Sequence, residues 1–204
     1  MPQRMFERHM RYLKERYRVI SLEEAIANLK DNKCIDCDSV VITFDVGYED
    51  NFLEAVPVLK RYDLPAAFFL TVDYMGKRNY LDWSEIRAMK DEGFEFGCHT
   101  ISHPRLPNLD EDEVHKEVAV SKRVLEERLE QKIRYFSYPY GDFNQRIAGI
   151  VKDAGFEAAV SVVDGPCDHK TGLFSLKRKE ILTRPFSSFA VKIEGLFEPF
   201  LKLI

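Results

Sequence analysis

Long apolar runs are missing from this sequence. No stretch approaches the ~20 consecutive apolar residues that cross a bilayer, and the opening MPQRMFERHMRYLKERY has no apolar core of the kind a secretory signal needs. As it stands the chain reads as soluble and, by default, cytoplasmic. A basic excess is missing too. The 30 Lys+Arg face 34 Asp+Glu, and the basic residues are scattered along helix-like stretches, so nucleic acid is not an expected partner. Cysteine is scarce. Of Cys34, Cys37, Cys98 and Cys167 only the first two form a Cys-x-x-Cys pair, and no second pair completes a four-thiolate zinc site. Cys34-Ile35-Asp36-Cys37 sits in a polar loop and not at a helix N-terminus after a strand, so reduced thiols or a local disulfide are expected there, not redox chemistry. Cys98 ends an apolar strand and reads as a small buried residue.

What is present is alternation. The 204 residues fit one domain with a core of ordinary size. Strand-like VVITF precedes helix-like EAVPVLKRY; AAFFLTV precedes SEIRAMKDE; FEFGC precedes DEDEVHKEVAVSKRVLEERLE; RYFSY precedes NQRIAGIVKDA. EAAVSV then leads to a Gly/Pro-containing loop, a short KEILT strand and the amphipathic SSFAVKIEGLF. Lys90-Asp91-Glu92-Gly93-Phe94-Glu95 and Lys152-Asp153-Ala154-Gly155-Phe156-Glu157 put glycine at the same helix-to-strand joint twice. This pattern argues for parallel strands joined by right-handed crossovers. It leaves an open doubly wound sheet and a closed barrel both standing. Asp82 or Ser84 is placed to cap the helix that follows, and Trp83 beside them reads as packing.

Asp45 follows VVITF, His99 follows FEFGC, and Tyr138 to Gly141 follow RYF, so three polar segments fall at the carboxyl ends of separate strands. In a barrel of parallel strands that edge is where active sites assemble. His99 and His103 lie on a short segment that Pro104 keeps from being an extended strand. Imidazoles at such spacing can face one ion and leave room for a carboxylate and a water.

Val41-Ile42-Thr43-Phe44-Asp45-Val46-Gly47-Tyr48, read with His99-Thr100-Ile101-Ser102-His103 and Phe136-Ser137-Tyr138-Pro139-Tyr140-Gly141, resembles the motif series of the polysaccharide deacetylases, the NodB-homology family of carbohydrate esterases. The opening Phe6-Glu7-Arg8-His9-Met10 and Val19-Ile20-Ser21-Leu22-Glu23-Glu24 resembles a subgroup whose general-acid histidine lies in an early Tyr-His strand before the first helix; this chain starts at that helix. The resemblance implies an α/β fold, a distorted, incompletely closed (β/α) barrel of parallel strands. Residues 1–38 would be a helical lead-in packed outside it, and 39–204 the barrel. It also implies a hydrolase that removes N-acetyl groups from an N-acetylated oligosaccharide or polysaccharide with a divalent metal, zinc, activating the attacking water. Asp45 would be the base and His99 and His103 the metal ligands. The Tyr140 N–H would meet the oxyanion, and Tyr138 and Pro139 would line the substrate.

The chain departs from that pattern in three places. Val46 stands where the family carries its metal-binding aspartate, and valine has no lone pair. Glu49 and Asp50 follow closely, but Asp50 reads as the cap of a helix from Asn51 to Tyr62 and Glu49 as solvent-facing. Ser137 stands where many relatives have an arginine that steadies the catalytic aspartate. No late histidine is found in Glu180-Ile181-Leu182-Thr183-Arg184-Pro185, and His9, His115 and His169 read as solvated, not as the acid. Three functions therefore stay open: a deacetylase with an altered metal site and weak activity, a non-catalytic relative that binds a glycan or a protein, and a metal-independent amide hydrolase of the allantoinase-like type.

Overall fold

A computed structural model describes residues 1–31, 39–168, 170–181, 186–194 and 202–204. The Cys34–Cys37 pair and His169 lie outside them. The elements run α1 (Gln3–Arg16), β1 (Arg18–Val19), α2 (Leu22–Lys30), β2 (Ser39–Val41), β3 (Thr43–Val46), α3 (Val56–Arg61), β4 (Ala67–Leu70), α4 (Trp83–Asp91), β5 (Glu95–Cys98), α5 (Glu111–Leu129), β6 (Tyr135–Ser137), α6 (Gln145–Asp153), β7 (Ala158–Val160), α7 (Phe186–Glu194) and β8 (Lys202–Leu203). A π-helical turn, Asn51–Ala55, leads directly into α3. Pro57 cannot donate the backbone bond that a continuous α-helix would need there.

Every strand pair is parallel. β3-β4-β5-β6-β7 form one sheet and β1-β2-β8 a second. Backbone bonds join the two: Thr43 N donates to Ile204 O, and Ala67 N donates to Ile42 O at 3.0 Å. On the far side Val160 bridges to Leu176 and Lys179 N donates to Leu203 O at 2.8 Å. The sheet is thereby curled most of the way round on itself, the expected distorted barrel.

Strand alternation divides the core in two. Phe68, Leu70, Phe96 and Phe136 point to the helices and pack with Leu59, Ile86, Met89, Val118, Leu125 and Ile147. Ala67, Phe69, Tyr135, Ala158 and Val160 point into the curl, where they meet Leu22, Ala25, Ile26 and Leu29 of α2. α1 lies on the outside against α3 and α7. α2 instead closes the amino-terminal end of the strands. Glu95, the first residue of β5, accepts from Leu22 N at 2.7 Å and Glu23 N at 2.8 Å, and Arg134 and Glu157, just ahead of β6 and β7, pair with Glu23 and Lys30. The lead-in is thus not wholly helical and not wholly outside, because β1 joins the second sheet and α2 shares the inner core.

Several local expectations hold and others do not. Asp82 caps α4 in a full capping box with Glu85. Cys98 is buried, its thiol donating to Ser121 Oγ at 3.0 Å. No strand forms over residues 179–181, the described part of KEILT: the sheet contacts there are isolated ones, at Leu176 ahead of the segment and at its first residue, Lys179. Asp50 does not cap the next helix: its backbone is already helical and its carboxylate accepts from Asn51 Nδ2 at 3.2 Å. His9 is not solvated but buried, stacked on Phe189 with ring centroids 3.9 Å apart. Among the described residues no helix is long and apolar enough to cross a membrane.

Gly97 sets the closest approach inside the curl. A Cβ there would lie 2.4 Å from Phe69 Cδ1 and 3.0 Å from the Tyr135 carbonyl oxygen. Gly97→Ala is expected to cost about 2–3 kcal/mol by overpacking, read from the midpoint of urea unfolding, whereas Gly149→Ala, with open space around it, should not lower it.

Candidate active site

β3 ends in an abrupt turn. Val46 has φ 76° and Gly47 φ 90°, and Gly47 N donates to Asp45 O at 3.0 Å. The left-handed region suits Gly47, but for a β-branched residue such as Val46 it is strained. The turn leaves Asp45 facing a guanidinium. Arg178 Nη1 donates to Asp45 Oδ1 at 2.8 Å and Nη2 to Oδ2 at 2.6 Å, a two-pronged ion pair with Arg178 only 5% exposed. Arg178 also donates from Nε to Ser161 O at 2.8 Å, from Nη1 to Thr43 Oγ1 at 3.2 Å and from Nη2 to Ser137 Oγ at 2.9 Å. Ser137 Oγ in turn donates to Asp45 Oδ2 at 3.2 Å. Burial pushes the Asp45 carboxyl up, but the guanidinium, with His99 and the Ser137 hydroxyl, outweighs it and holds the group down at about 2.

The histidine segment leaves β5 through two left-handed residues, Thr100 (φ 68°) and His103 (φ 61°). Glu117 of α5 clamps it: Oε2 accepts from Ile101 N at 2.8 Å and Ser102 N at 3.0 Å, and Oε1 accepts from Ser102 Oγ at 2.7 Å. His99 Nδ1 lies 2.7 Å from the Ser137 carbonyl oxygen, so Nδ1 carries the proton and Nε2 the lone pair. Burial pushes the His99 ring down to about 4 and lowers His103 as well. The two Nε2 atoms are 3.0 Å apart.

Tyr140 completes the ring of strand ends. It has φ 58° and follows Pro139 in a tight turn whose own bonds run from Gly141 N to Tyr138 O at 2.9 Å and from Asp142 N to Pro139 O at 3.1 Å. Its ring meets His103 edge-on at 4.6 Å and carries the Arg105 guanidinium at 4.3 Å. Tyr138 is buried, its hydroxyl donating to Phe174 O at 3.0 Å and its ring stacked on Phe143 at 4.5 Å, and Pro139 is buried beside it. Asp45, His99, His103 and the Tyr140 turn therefore gather at the carboxyl ends of β3, β5 and β6. Tyr138 is turned into the packing beneath them. Sequence reasoning missed Arg178, which stands in Lys177-Arg178-Lys179 and reads there as a surface run. The unexplained Ser137 was its one signal, because a side chain too short to steady Asp45 alone implies a cation from elsewhere.

Two neutral nitrogens that share one tetrahedral ion at ~2.0–2.1 Å lie about 3.3 Å apart, so the histidine pair is close to the spacing a metal would need. The donor set is nevertheless incomplete. Val46 offers no lone pair, both Asp45 oxygens are engaged by Arg178, and among the described residues no group of three His, Cys, Asp or Glu could hold an ion.

The family model described as polysaccharide deacetylase matches residues 32–159. YxkH of Bacillus subtilis, assigned to the polysaccharide deacetylases, is 30% identical over 198 residues, spanning 96% of this chain and 71% of its own length. The poly-beta-1,6-N-acetyl-D-glucosamine N-deacetylase of Staphylococcus aureus is 24% identical over 96% of this chain and 72% of its own. The Streptococcus pyogenes deacetylase PplD, solved in complex with acetate, superposes with a TM-score of 0.87 at 27% identity, covering 94% of this chain and 86% of that one. The chain belongs to the polysaccharide deacetylase family, whose members are hydrolases of carbon–nitrogen bonds and generally use a divalent metal.

Two measurements follow from the turn and the ion pair. Val46→Asn, which tolerates a left-handed backbone, is expected to raise stability by about 1 kcal/mol in metal-free buffer, whereas Val46→Ile should give no gain. The folded Asp45 pKa lies below its ordinary 3.8, so as pH falls the unfolded chain takes up this proton first. The contribution is complete above about pH 4 and is lost as pH falls towards about 2; urea titrations should show wild type losing ~2 kcal/mol more over that range than Asp45→Asn.

Proposed function

We propose that the chain is an N-deacetylase of an N-acetylated glycan, with turnover limited by Val46. The observation that carries this reading is the hydrogen-bonded set Arg178–Asp45–Ser137–His99 beside His103 and the Tyr140 turn. Asp45 is ionised at neutral pH and oriented by three donors, so it can accept a proton from a water that attacks the acetamide carbon. The Tyr140 N–H, which neither turn bond uses, can donate to the oxygen on which charge develops. The carbon–nitrogen bond then breaks, and the amine leaves with a proton. The names of the relatives, a poly-N-acetylglucosamine deacetylase and a deacetylase holding acetate, support the substrate class.

A metal-assisted attack needs more than this chain supplies. Two imidazoles without the carboxylate at 46 are one short of the usual three protein ligands. That shortfall favours a second reading, a relative that holds a glycan in the same groove without turning it over. Acetate release from N-acetylated chitooligosaccharide or poly-β-1,6-N-acetylglucosamine separates the two, with Asp45→Asn expected to abolish whatever rate is found. Val46→Asp is expected to raise both zinc content, towards about one ion per chain, and the deacetylation rate. No acetate from wild type or from Val46→Asp, with zinc bound to Val46→Asp, would leave the non-catalytic reading standing.

A further inference from the structure

A cavity of about 420 Å³ opens beside the reacting groups, and none of the interactions that hold those groups requires it. Its size is that of a small-molecule site, for which ~300–1,000 Å³ is usual. Asp45 and Arg178 form part of its wall, whereas His99, His103 and Tyr140 do not. The ion pair therefore borders two spaces, the histidine cleft and this cavity.

The wall is largely hydrocarbon. α1 brings Phe6 and Met10, the stretch running into β3 brings Ile42 and Phe44, α7 brings Phe189, and Ile204 follows from β8. Met10, Ile42 and Phe189 are buried, and the Phe6 ring rests on Phe44 with centroids 5.9 Å apart. The rim is apolar as well: Tyr48 is 47% exposed, Val162 39% and Met1 37%, so half of the six exposed large hydrophobic side chains among the described residues surround one opening. Such a concentration marks a binding surface more than a solvated one.

Charge decides what the cavity can take. The Lys and Arg side chains of the wall are already engaged, Arg178 by Asp45 and Lys179 by Asp164 at 3.2 Å, while Asp50, Glu54 and Glu180 add carboxylates. A fatty-acid carboxylate would meet negative charge with no cation to hold it, and the hydroxyls of a sugar would lose their water against hydrocarbon. A neutral alkyl chain gains by entering. In an N-acylated amine the acyl carbon is the atom that water attacks, so it must stand beside Asp45. Whatever extends from that carbon on the acyl side then lies at the cavity.

We infer that this cavity receives the acyl chain of the amide, so that the protein favours N-acyl groups several carbons longer than acetyl. This rests on the amide-hydrolysis reading above and extends its acyl side. The bond changes are the same: water adds to the acyl carbon, the carbon–nitrogen bond breaks, and the products are an amine and a longer carboxylate. That carboxylate would face Asp45 with no free cation near it, which favours its release.

The test uses N-acylglucosamines carrying acetyl, butanoyl, hexanoyl and octanoyl groups. They are titrated calorimetrically into wild type, Ala55→Leu and Phe6→Ala, and release of free amine is followed on the same samples and on Val46→Asp. In wild type, affinity is expected to rise about threefold to fourfold per methylene from acetyl to hexanoyl, the scale of one buried methylene. Ala55 is buried in the wall, so leucine there grows into the cavity and should cut the hexanoyl-to-acetyl ratio at least about tenfold, the equivalent of two methylenes. Phe6→Ala enlarges the cavity and should favour octanoyl over hexanoyl more than wild type does. Affinity that is flat or falls with chain length in wild type overturns the acyl site, whether or not either variant folds. Hexanoate bound as tightly as the hexanoyl amide overturns it too, as does a length dependence unmoved in folded Ala55→Leu. The two readings fail separately. Acetate release from an N-acetylated glycan with no preference for longer chains removes the acyl cavity and leaves deacetylation, whereas length-dependent binding without amine release, even from Val46→Asp with zinc bound, removes hydrolysis and leaves the acyl cavity.

Discussion

The ion pair between Asp45 and Arg178 is the constraint on which the rest of the site depends. Arg178 enters from the segment after β7 and reaches the start and end of β3, the Ser137 hydroxyl at the end of β6 and the Ser161 carbonyl beyond β7. One guanidinium therefore fixes three strand ends relative to one another. Compared with an apolar pair of similar shape such a buried ion pair brings little net stability, because both charges must be desolvated. Its effect is geometric: it determines where the Asp45 carboxylate points and keeps it charged. Ser137 links that pair to the histidine half of the site, with its hydroxyl on Asp45 and its carbonyl on the His99 ring.

The other side of the cleft is held by different means. Glu117, on α5, gathers two backbone N–H groups and a hydroxyl from the histidine segment, which lets that segment pass through left-handed turns without collapsing. The Tyr48 turn is held by main-chain bonds to the loop before α4. The acid, the imidazoles and the Tyr48 turn thus hang on separate supports. Damage to one need not disorder the others, which is how a site can lose a ligand and keep its shape.

Much of this was legible in the sequence. Alternating apolar runs located β3 to β7, because β4 to β7 are buried on both faces almost throughout and read as continuous hydrophobic stretches, while the half-buried β3 continues the buried run of Val40, Val41 and Ile42. The same pattern put Asp45, His99 and Tyr140 at one edge, and the capping pattern at Asp82 was correct in detail. The two-residue strands β1 and β8 were not legible, since so short a segment has no periodicity of its own and pairs only because its neighbours present an edge. Arg178 was hidden for the opposite reason. Its neighbours are lysines, and only tertiary contact distinguishes a buried cation from the solvated run around it. Asp50 and His9 were misread because composition places both types on surfaces, whereas the π-helical turn and the Phe189 stack override that preference.

Val46 remains the odd residue in this arrangement, and its backbone angle has an implication at the level of the gene. The main chain at that position is bent into a shape that aspartate enters more readily than valine, although valine occupies it. The valine codons GTT and GTC differ from the aspartate codons GAT and GAC only at the second base. From either of them a single nucleotide substitution would place a carboxylate beside two imidazoles that already converge, without requiring the fold to move. Selection for or against a carboxylate at this position would thus act on a backbone already shaped for it.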